Sequence, residues 1–164
     1  MQKLLLLIIV TVTAIFVKAQ NASKTNENLE SKTITLEHFD SIDSEMVFNV
    51  EVIKSDEEKA VITSNVLSFV EIIVKNNTLK IGYKESRSLE NVETRIVIYA
   101  KDVKSVHAGV GSVVKIKDNF DTQEFSTESG GKIVGDSNAK SIVINTESGG
   151  SVLGTVNTES LVLN

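Results

Sequence analysis

The chain has 164 residues, of which 41% are apolar, and its 22 acidic side chains outnumber 17 basic ones to give a net charge of −5. This length suits one domain with a core of its own, and an acidic chain without a basic cluster is not typical of proteins that bind nucleic acid or anionic membranes. The sequence has no cysteine, which excludes disulfides and thiolate metal sites.

The first nineteen residues have the pattern of a secretory signal peptide. Lys3 gives the positive start, residues 4–17 form the apolar run, and residues 17–19 form a small-residue cleavage site. The apolar run is shorter than the roughly twenty residues that span a bilayer. We therefore expect cleavage before Gln20 and no membrane span in the mature protein. Residues 20–32 are polar without periodicity, which predicts a flexible leader.

From Thr33 onward the apolar residues recur with a period of two, which is typical of β-strands. Met46, Phe48, Val50 and Val52 alternate with more polar residues, and the pattern predicts that these four share the buried face of one strand.

A β-hairpin is predicted further along the chain. Residues 70–74 and 79–83 each have strand periodicity, and Asn76-Asn77 between them tolerates the positive φ that a tight turn requires. Residues 93–100 are apolar on both faces, so we expect them to form a central strand.

The C-terminal part of the chain is a repeat. Residues 127–145 (TESGGKIVGDSNAKSIVIN) and 146–164 (TESGGSVLGTVNTESLVLN) are identical at ten of nineteen positions. A unit this short cannot bury its own apolar face and must stack on its neighbour. We interpret each unit as one coil of a β-solenoid, with Ile142 against Leu161, Ile144 against Leu163 and Glu128 beside Glu147.

Residues 104–126 are a degenerate copy of the same unit, if one extra residue is absorbed near Phe120. Glycines recur at the predicted corners because glycine takes positive φ without steric cost. The predicted fold is therefore an all-β, single-stranded β-solenoid with an N-terminal β-hairpin region, at least three coils in residues 104–164, and one domain over residues 33–164. The last copy has no visible cap, so we expect either a C-terminally shortened solenoid or self-association through the C-terminal coil.

Several short motifs occur in a characteristic order. They are F-x-V-x-V at residues 48–52, V-E-I-I-V at 70–74, N-x-L-x-I at 77–81, A-G-V-G-S-V at 108–113, and S-G-G at 129–131 and 148–150. Together with the leader they resemble the auto-transporter adhesin "head GIN" domain family of secreted bacterial proteins. The resemblance implies a β-helix-like domain on the outside of a bacterial cell, of the Bacteroidetes type.

Few residues could act as acid or base near neutral pH. His38 and His107 are the two histidines, and we interpret both as structural. Ser112 and Ser151 directly follow a glycine, so neither has the G-x-S-x-G pattern of a nucleophile elbow.

Calcium and other hard cations are also poorly matched. Residues 130–136 are similar to calcium-binding nonapeptide repeats, but their third glycine is late and Thr155 replaces Asp136 in the next unit. Asp40 with Asp43, and residues 56–58, are interpreted as solvated turn charges. The sequence thus predicts no catalytic, cofactor-binding or metal-binding residue, and no cofactor.

The function predicted from these features is non-enzymatic: a secreted or cell-surface β-solenoid that acts in adhesion or as an interaction scaffold, with a cell-surface protein or glycan as partner. The alternatives are a carbohydrate-binding or carbohydrate-active β-helix domain and an envelope-sensing domain. Sugar sites need paired carboxylates or aromatic platforms. The chain has no Trp, and we interpret Tyr83 and Tyr99 as packed within strands.

Overall fold

A computed structural model of the chain describes residues 29–84 and 91–164. Within these ranges the chain forms fourteen β-strands and one 3₁₀ turn (Leu67–Phe69), which confirms the predicted all-β class. The strands are β1 (Glu30–Thr35), β2 (Ser41–Ser44), β3 (Asn49–Lys54), β4 (Lys59–Ser64), β5 (Val70–Lys75), β6 (Thr78–Tyr83), β7 (Thr94–Ala100), β8 (Ser105–Ala108), β9 (Val113–Ile116), β10 (Glu124–Thr127), β11 (Lys132–Val134), β12 (Ser141–Thr146), β13 (Ser151–Leu153) and β14 (Ser160–Leu163). The predicted signal peptide over residues 1–19 lies outside the described residues.

The strands form two seven-stranded sheets. Sheet A has the spatial order β1-β4-β7-β3-β9-β11-β13, and sheet B has the order β5-β6-β2-β8-β10-β12-β14. From β8 onward consecutive strands alternate between the sheets, and each pairs in parallel with the strand two places along the chain. Each repeat therefore adds one strand to sheet A and one strand to sheet B.

The nineteen-residue repeat fixes the register of these parallel pairs. Ser105 is the partner of Glu124, and Lys132 is the partner of Ser151. The predicted neighbours Ile142 with Leu161 and Ile144 with Leu163 are confirmed as register partners. Glu128 and Glu147 occupy equivalent positions in neighbouring repeats, since the Glu147 N–H donates to the carbonyl of Thr127, the residue before Glu128.

The predicted hairpin is confirmed and is part of the same two sheets. β5 and β6 are antiparallel, and Asn76 and Asn77 at their turn have φ of 53° and 59°. β6 pairs in parallel with β2 in sheet B, and β7 pairs in parallel with β3 in sheet A. Two strands that follow later in the chain therefore lie beside two earlier ones, one in each sheet. The predicted central strand, β7, lies between β4 and β3.

The core lies between the inner faces of the two sheets. Its largest fully buried side chains include Phe39, Phe48, Phe120 and Phe125. The prediction that Met46 shares the buried face of β3 is wrong: Met46 is 50% exposed. The strand begins only at Asn49, because residues 45–47 form the turn that carries the chain from sheet B to sheet A.

Glycine allows the corresponding turn of each later repeat. Gly111, Gly130 and Gly149 have φ of 67°, 72° and 77°, a backbone conformation that costs a residue with a side chain more than glycine. Their spacing of nineteen residues agrees with the strand register, so Gly111 is the counterpart of Gly130.

The degenerate repeat was predicted to absorb one extra residue near Phe120, but the strand register shows no net insertion there. Phe120 forms a bridge with Ser137, seventeen residues later, whereas the pairs Lys115–Val134 before it and Glu124–Val143 after it are nineteen apart. Relative to its neighbour, this repeat has two more residues before Phe120 and two fewer after it. The displacement allows the Phe120 ring to enter the core, where it is 2% exposed.

The N-terminal edge of sheet A is antiparallel. β1 begins at Glu30, inside the segment predicted as a leader, and pairs with β4. Ser31 and Thr63 form a hydroxyl–hydroxyl hydrogen bond of 2.6 Å across this pair. Most side chains of β1 are exposed, so the alternation that identifies a half-buried strand is missing from its sequence.

Candidate functional site

Both histidines lie beside a carboxylate. His38 Nδ1 is 2.9 Å from Glu58 Oε1, and the Glu58 side chain is only 8% exposed. His107 Nε2 is 3.6 Å from Glu128 Oε1 on the outer face of sheet B. The two histidines come from separate strands or loops, and the structure does not bring them together with either candidate serine.

The acidic clusters form ion pairs with lysines. Asp40 Oδ2 lies 3.0 Å from Lys104 Nζ, and this hydrogen bond lowers the pKa of the Asp40 carboxyl although partial burial opposes the shift. Asp43 Oδ2 lies 3.0 Å from Lys80 Nζ, and the contact raises the pKa of Lys80. Among the described residues no group of three or more His, Cys, Asp or Glu side chains is arranged to hold a metal ion.

The candidate serines and Asp136 have structural partners. Ser112 Oγ is buried 2.6 Å from Ser44 Oγ, and Ser151 is part of β13, where its N–H donates to the Gly131 carbonyl. Asp136 Oδ1 accepts the backbone N–H of Thr155 at 2.6 Å. The Asp136 carboxylate therefore joins one repeat to the next.

The two tyrosines have different surroundings. The Tyr83 ring packs on Phe48 with 4.7 Å between centroids, and burial raises the pKa of the Tyr83 hydroxyl. Tyr99 is on the outer face of sheet A, where Lys59 Nζ lies 5.0 Å from the ring centroid. Tyr83 thus packs against the hydrophobic core, whereas Tyr99 lies on the outer surface beside a lysine.

The outer face of sheet A carries an excess of positive charge. Because neighbouring residues of a strand point to opposite faces, residues that alternate with the buried positions of β3, β4, β7, β9 and β11 lie on this outer face. Five described cations lie on it or at its margin, against three carboxylates, Glu51, Glu57 and Glu93, of which Glu57 has its Oε2 2.8 Å from Lys59 Nζ. The cations are Lys59, Arg95, Lys115, Lys117 and Lys132.

A depression of about 430 Å³ lies within this face. Arg95 and Lys115 line it as cations, Glu51 and Glu93 as carboxylates, and Asn49 is among its other polar groups. Arg95, Asn49 and Val113 are consecutive register partners on β7, β3 and β9. The depression therefore crosses several strands rather than following one loop.

The outer face of sheet B has the opposite charge. Within the described residues it carries six carboxylates against two lysines, Lys75 and Lys80. The carboxylates are Asp43, Glu45, Glu71, Glu124, Glu128 and Glu147. Lys80 is within 3.0 Å of Asp43 and 3.7 Å of Glu45, so the free charge of this face is acidic.

Neither face was identified from the sequence. Alternation marks Arg95, Lys115 and Lys132 as outward-facing, but it does not say which strands are neighbours. β3 lies between β7 and β9 although the chain reaches β7 much later. Only the strand order brings these cations onto one surface.

Residues 38–164 match the family model described as "Putative auto-transporter adhesin, head GIN domain". The chain belongs to this family. The match confirms the resemblance seen in the short motifs. None of the curated proteins compared matches the sequence.

Several solved structures share the fold of this head GIN domain. One described as a putative adhesin, from Parabacteroides merdae, has a TM-score of 0.65 at 17% identity and covers 79% of this chain and 59% of that protein. Another, described as a putative lipid binding protein from Parabacteroides distasonis, has a TM-score of 0.70 at 19% identity. This match covers 84% of this chain and 63% of that protein. A putative adhesin from the same species gives 0.64 at 15% identity, with 83% and 65% covered. The chain spans about three-fifths of the length of these proteins.

No helix among the described residues is long and apolar enough to cross a membrane.

Proposed function

We propose that this head GIN domain is a non-enzymatic adhesion or interaction module and that it binds its partner on the outer face of sheet A. The observation that carries the proposal is the depression across β4, β7, β3 and β9, which is lined by two cations, Arg95 and Lys115, and two carboxylates, Glu51 and Glu93. Membership in an adhesin family supports a binding role. Binding residues on a rigid sheet need little ordering when a ligand arrives, which favours affinity.

The proposed architecture is a two-sided parallel β-solenoid. Its support is the repeated register of nineteen residues in both sheets. In such a stack equivalent side chains lie about 4.8 Å apart, so each outer face displays straight rows of side chains. A ligand with a repeating structure can contact several members of a row.

We also propose that the protein is exported to the cell surface or secreted. Lys3, the apolar run of residues 4–17 and the small residues at 17–19 support a cleaved signal peptide. Mass spectrometry of exported protein should then find Gln20 at the N-terminus, and an intact Met1 in the membrane fraction would contradict this.

Carbohydrate binding is the second candidate function, and the lining of the depression favours it. Amide and carboxylate groups, such as those of Asn49 and Glu51, form hydrogen bonds with sugar hydroxyls. Retention of the purified protein on an array of glycans would support this more specific function.

Binding to cell surfaces tests the adhesion proposal directly. Beads that carry the purified protein are expected to attach saturably to bacterial or epithelial cells. Asn49→Trp fills the depression and should reduce attachment strongly, whereas Ser141→Trp adds the same side chain at an exposed position on the outer face of sheet B and should not. Equal attachment by all three proteins would contradict the assignment of this face.

A further inference from the structure

We infer that the outer face of sheet A binds an acidic polysaccharide, with Arg95, Lys115 and Lys132 as the groups that attract its carboxylate or sulfate charges. This inference rests on the proposed function and specifies the class of ligand for the same surface. It is carried by the pairing, the spacing and the surroundings of these three cations.

Some cations of the protein are paired with carboxylates and others are not. On the outer face of sheet A, Lys59 Nζ lies 2.8 Å from Glu57 Oε2. Lys80 and Lys104, on or beside the outer face of sheet B, each have a carboxylate oxygen at 3.0 Å. Arg95, Lys115 and Lys132 form no ion pair within 4.0 Å with any described carboxylate. Their charges are therefore available to a ligand, and a ligand anion need not displace an internal partner.

Glu51 does not cancel this charge completely. Its carboxylate lies 3.9 Å from Lys117 Nζ, at the edge of ion-pair distance. Glu51 is also the register partner of Lys115 on the neighbouring strand. Because a carboxylate accepts hydrogen bonds from hydroxyl groups, Glu51 between two lysines suits a ligand that has both hydroxyl and acidic groups, as a uronic acid polymer does.

The spacing of the cations limits the charge density of the ligand. Arg95 and Lys132 are in one row, separated by β3 and β9, which corresponds to about 14 Å at about 4.8 Å per strand. Lys115 is in the next row, one strand from Lys132. Duplex DNA has one charge per about 1.7 Å and could place few of its phosphates on so sparse a set. A polysaccharide with one acidic group per sugar, or fewer, matches it better.

The acidic outer face of sheet B also supports binding of a polyanion to sheet A. Six carboxylates on the outer face of sheet B repel a polyanion, so an acidic chain is expected to bind on one side of the protein only. Exposed cations act through long-range attraction that salt screens, with a Debye length of about 8 Å at physiological ionic strength. Binding should therefore weaken as salt rises.

The test measures binding of the purified full chain to polygalacturonate, to dextran sulfate and to neutral dextran of matched length. We expect either anionic polymer to bind at low salt and neutral dextran not to bind. In the variant Lys115→Gln/Lys132→Gln, affinity for the anionic polymers should fall by roughly tenfold or more, since two charge-assisted contacts are lost.

A matched control separates local contacts from net charge. Lys75→Gln/Lys140→Gln removes the same total charge at exposed positions away from this face and should change the affinity by less than about twofold, because distant exposed charges are screened. Circular dichroism checks that both variants are folded. Equal loss of affinity in the two variants would overturn the inference, as would equal binding of neutral dextran.

Two further outcomes assign the surface to another partner. Tighter binding of duplex DNA than of either acidic polysaccharide would overturn the inference in favour of nucleic acid. Self-association in light scattering that is lost both in Lys115→Gln/Lys132→Gln and in Glu128→Gln/Glu147→Gln would identify the acidic face of a second copy as the occupant. If the beads attach to cells while no anionic polymer binds, the adhesion proposal stands and the polysaccharide inference fails.

Discussion

Ile142 and Leu161 are register partners on the parallel strands β12 and β14, yet Ile142 is fully buried and Leu161 is 45% exposed. β12 is bonded on both sides, by β10 and by β14, whereas among the described residues β14 is bonded to β12 alone. Two positions that the repeat makes equivalent therefore differ in the apolar area that they bury. Burial depends on the place of a repeat in the stack as well as on its sequence.

Substitution of these two residues by alanine should give very different losses of stability. Ile142→Ala leaves a cavity in the core and is expected to lower the free energy of unfolding by about 2–5 kcal/mol. Leu161→Ala should lower it by about 1 kcal/mol or less, as at other exposed positions. Urea unfolding followed by circular dichroism measures both. Similar losses in the two variants would show that β14 is covered in solution.

A buried pair of serines joins two corners of the stack. Ser44 Oγ and Ser112 Oγ are 2.6 Å apart, and both residues have no exposed surface. Ser112→Ala leaves the Ser44 hydroxyl buried without this partner, which costs about 1–3 kcal/mol. In Ser44→Ala/Ser112→Ala both hydroxyls are removed, so the double variant should be no less stable than either single variant.

A double-mutant cycle on unfolding free energies checks this coupling. If the two single substitutions have additive effects, the hydroxyls do not depend on each other and the prediction is wrong.

Gly131 is required by the close approach of two repeats. A Cβ at Gly131 would meet the backbone carbonyl oxygen of Ala108 in the preceding repeat. Gly131→Ala should therefore destabilise the protein by roughly 2–3 kcal/mol or more, because backbone must move. Gly82→Ala is the control, since its Cβ would meet only the flexible end of the Glu45 side chain at 3.1 Å. Thermal unfolding should rank Gly131→Ala well below Gly82→Ala, and equal melting temperatures would contradict the close contact.

The C-terminal repeat and the hairpin could be predicted because their signals are local. A period of nineteen residues fixes which strands become parallel neighbours, as the Ile144–Leu163 pair shows. The turn at Asn76-Asn77 lies directly between the strands that it joins. In both cases the residues that determine the structure are close in sequence or repeat at a constant distance.

The order of the earlier strands could not be predicted because no constant spacing connects them. Ser41 on β2 is the register partner of both Thr78 and Ser105, so one neighbour is 37 residues away and the other 64. These pairings follow from burial of the whole core, which a single-sequence pattern does not encode. For the same reason the sequence does not show that Arg95 of β7 and Lys115 of β9 share the outer face of sheet A.

The ion pair of Asp40 with Lys104 should make stability depend on pH in the acid range. Lys104 holds the pKa of Asp40 below its ordinary value. In the unfolded chain the Asp40 carboxyl should have a pKa of about 3.9. A lowered folded pKa means that the carboxylate stabilises the protein above about pH 4, and that this contribution is lost as pH falls through the folded pKa. The pair is partly exposed, so its contribution should be about 1 kcal/mol or less.

Thermal unfolding of the parent protein and of Asp40→Asn measures the effect. The variant should melt a few degrees lower at pH 7, and the difference should diminish below about pH 4 as the parent's carboxyl is protonated. In a Lys104→Met background the same substitution should have a smaller effect at pH 7, because the partner that lowers the pKa is gone. A difference between parent and Asp40→Asn that is constant from pH 7 to about pH 2 would show that the ion pair does not contribute to stability.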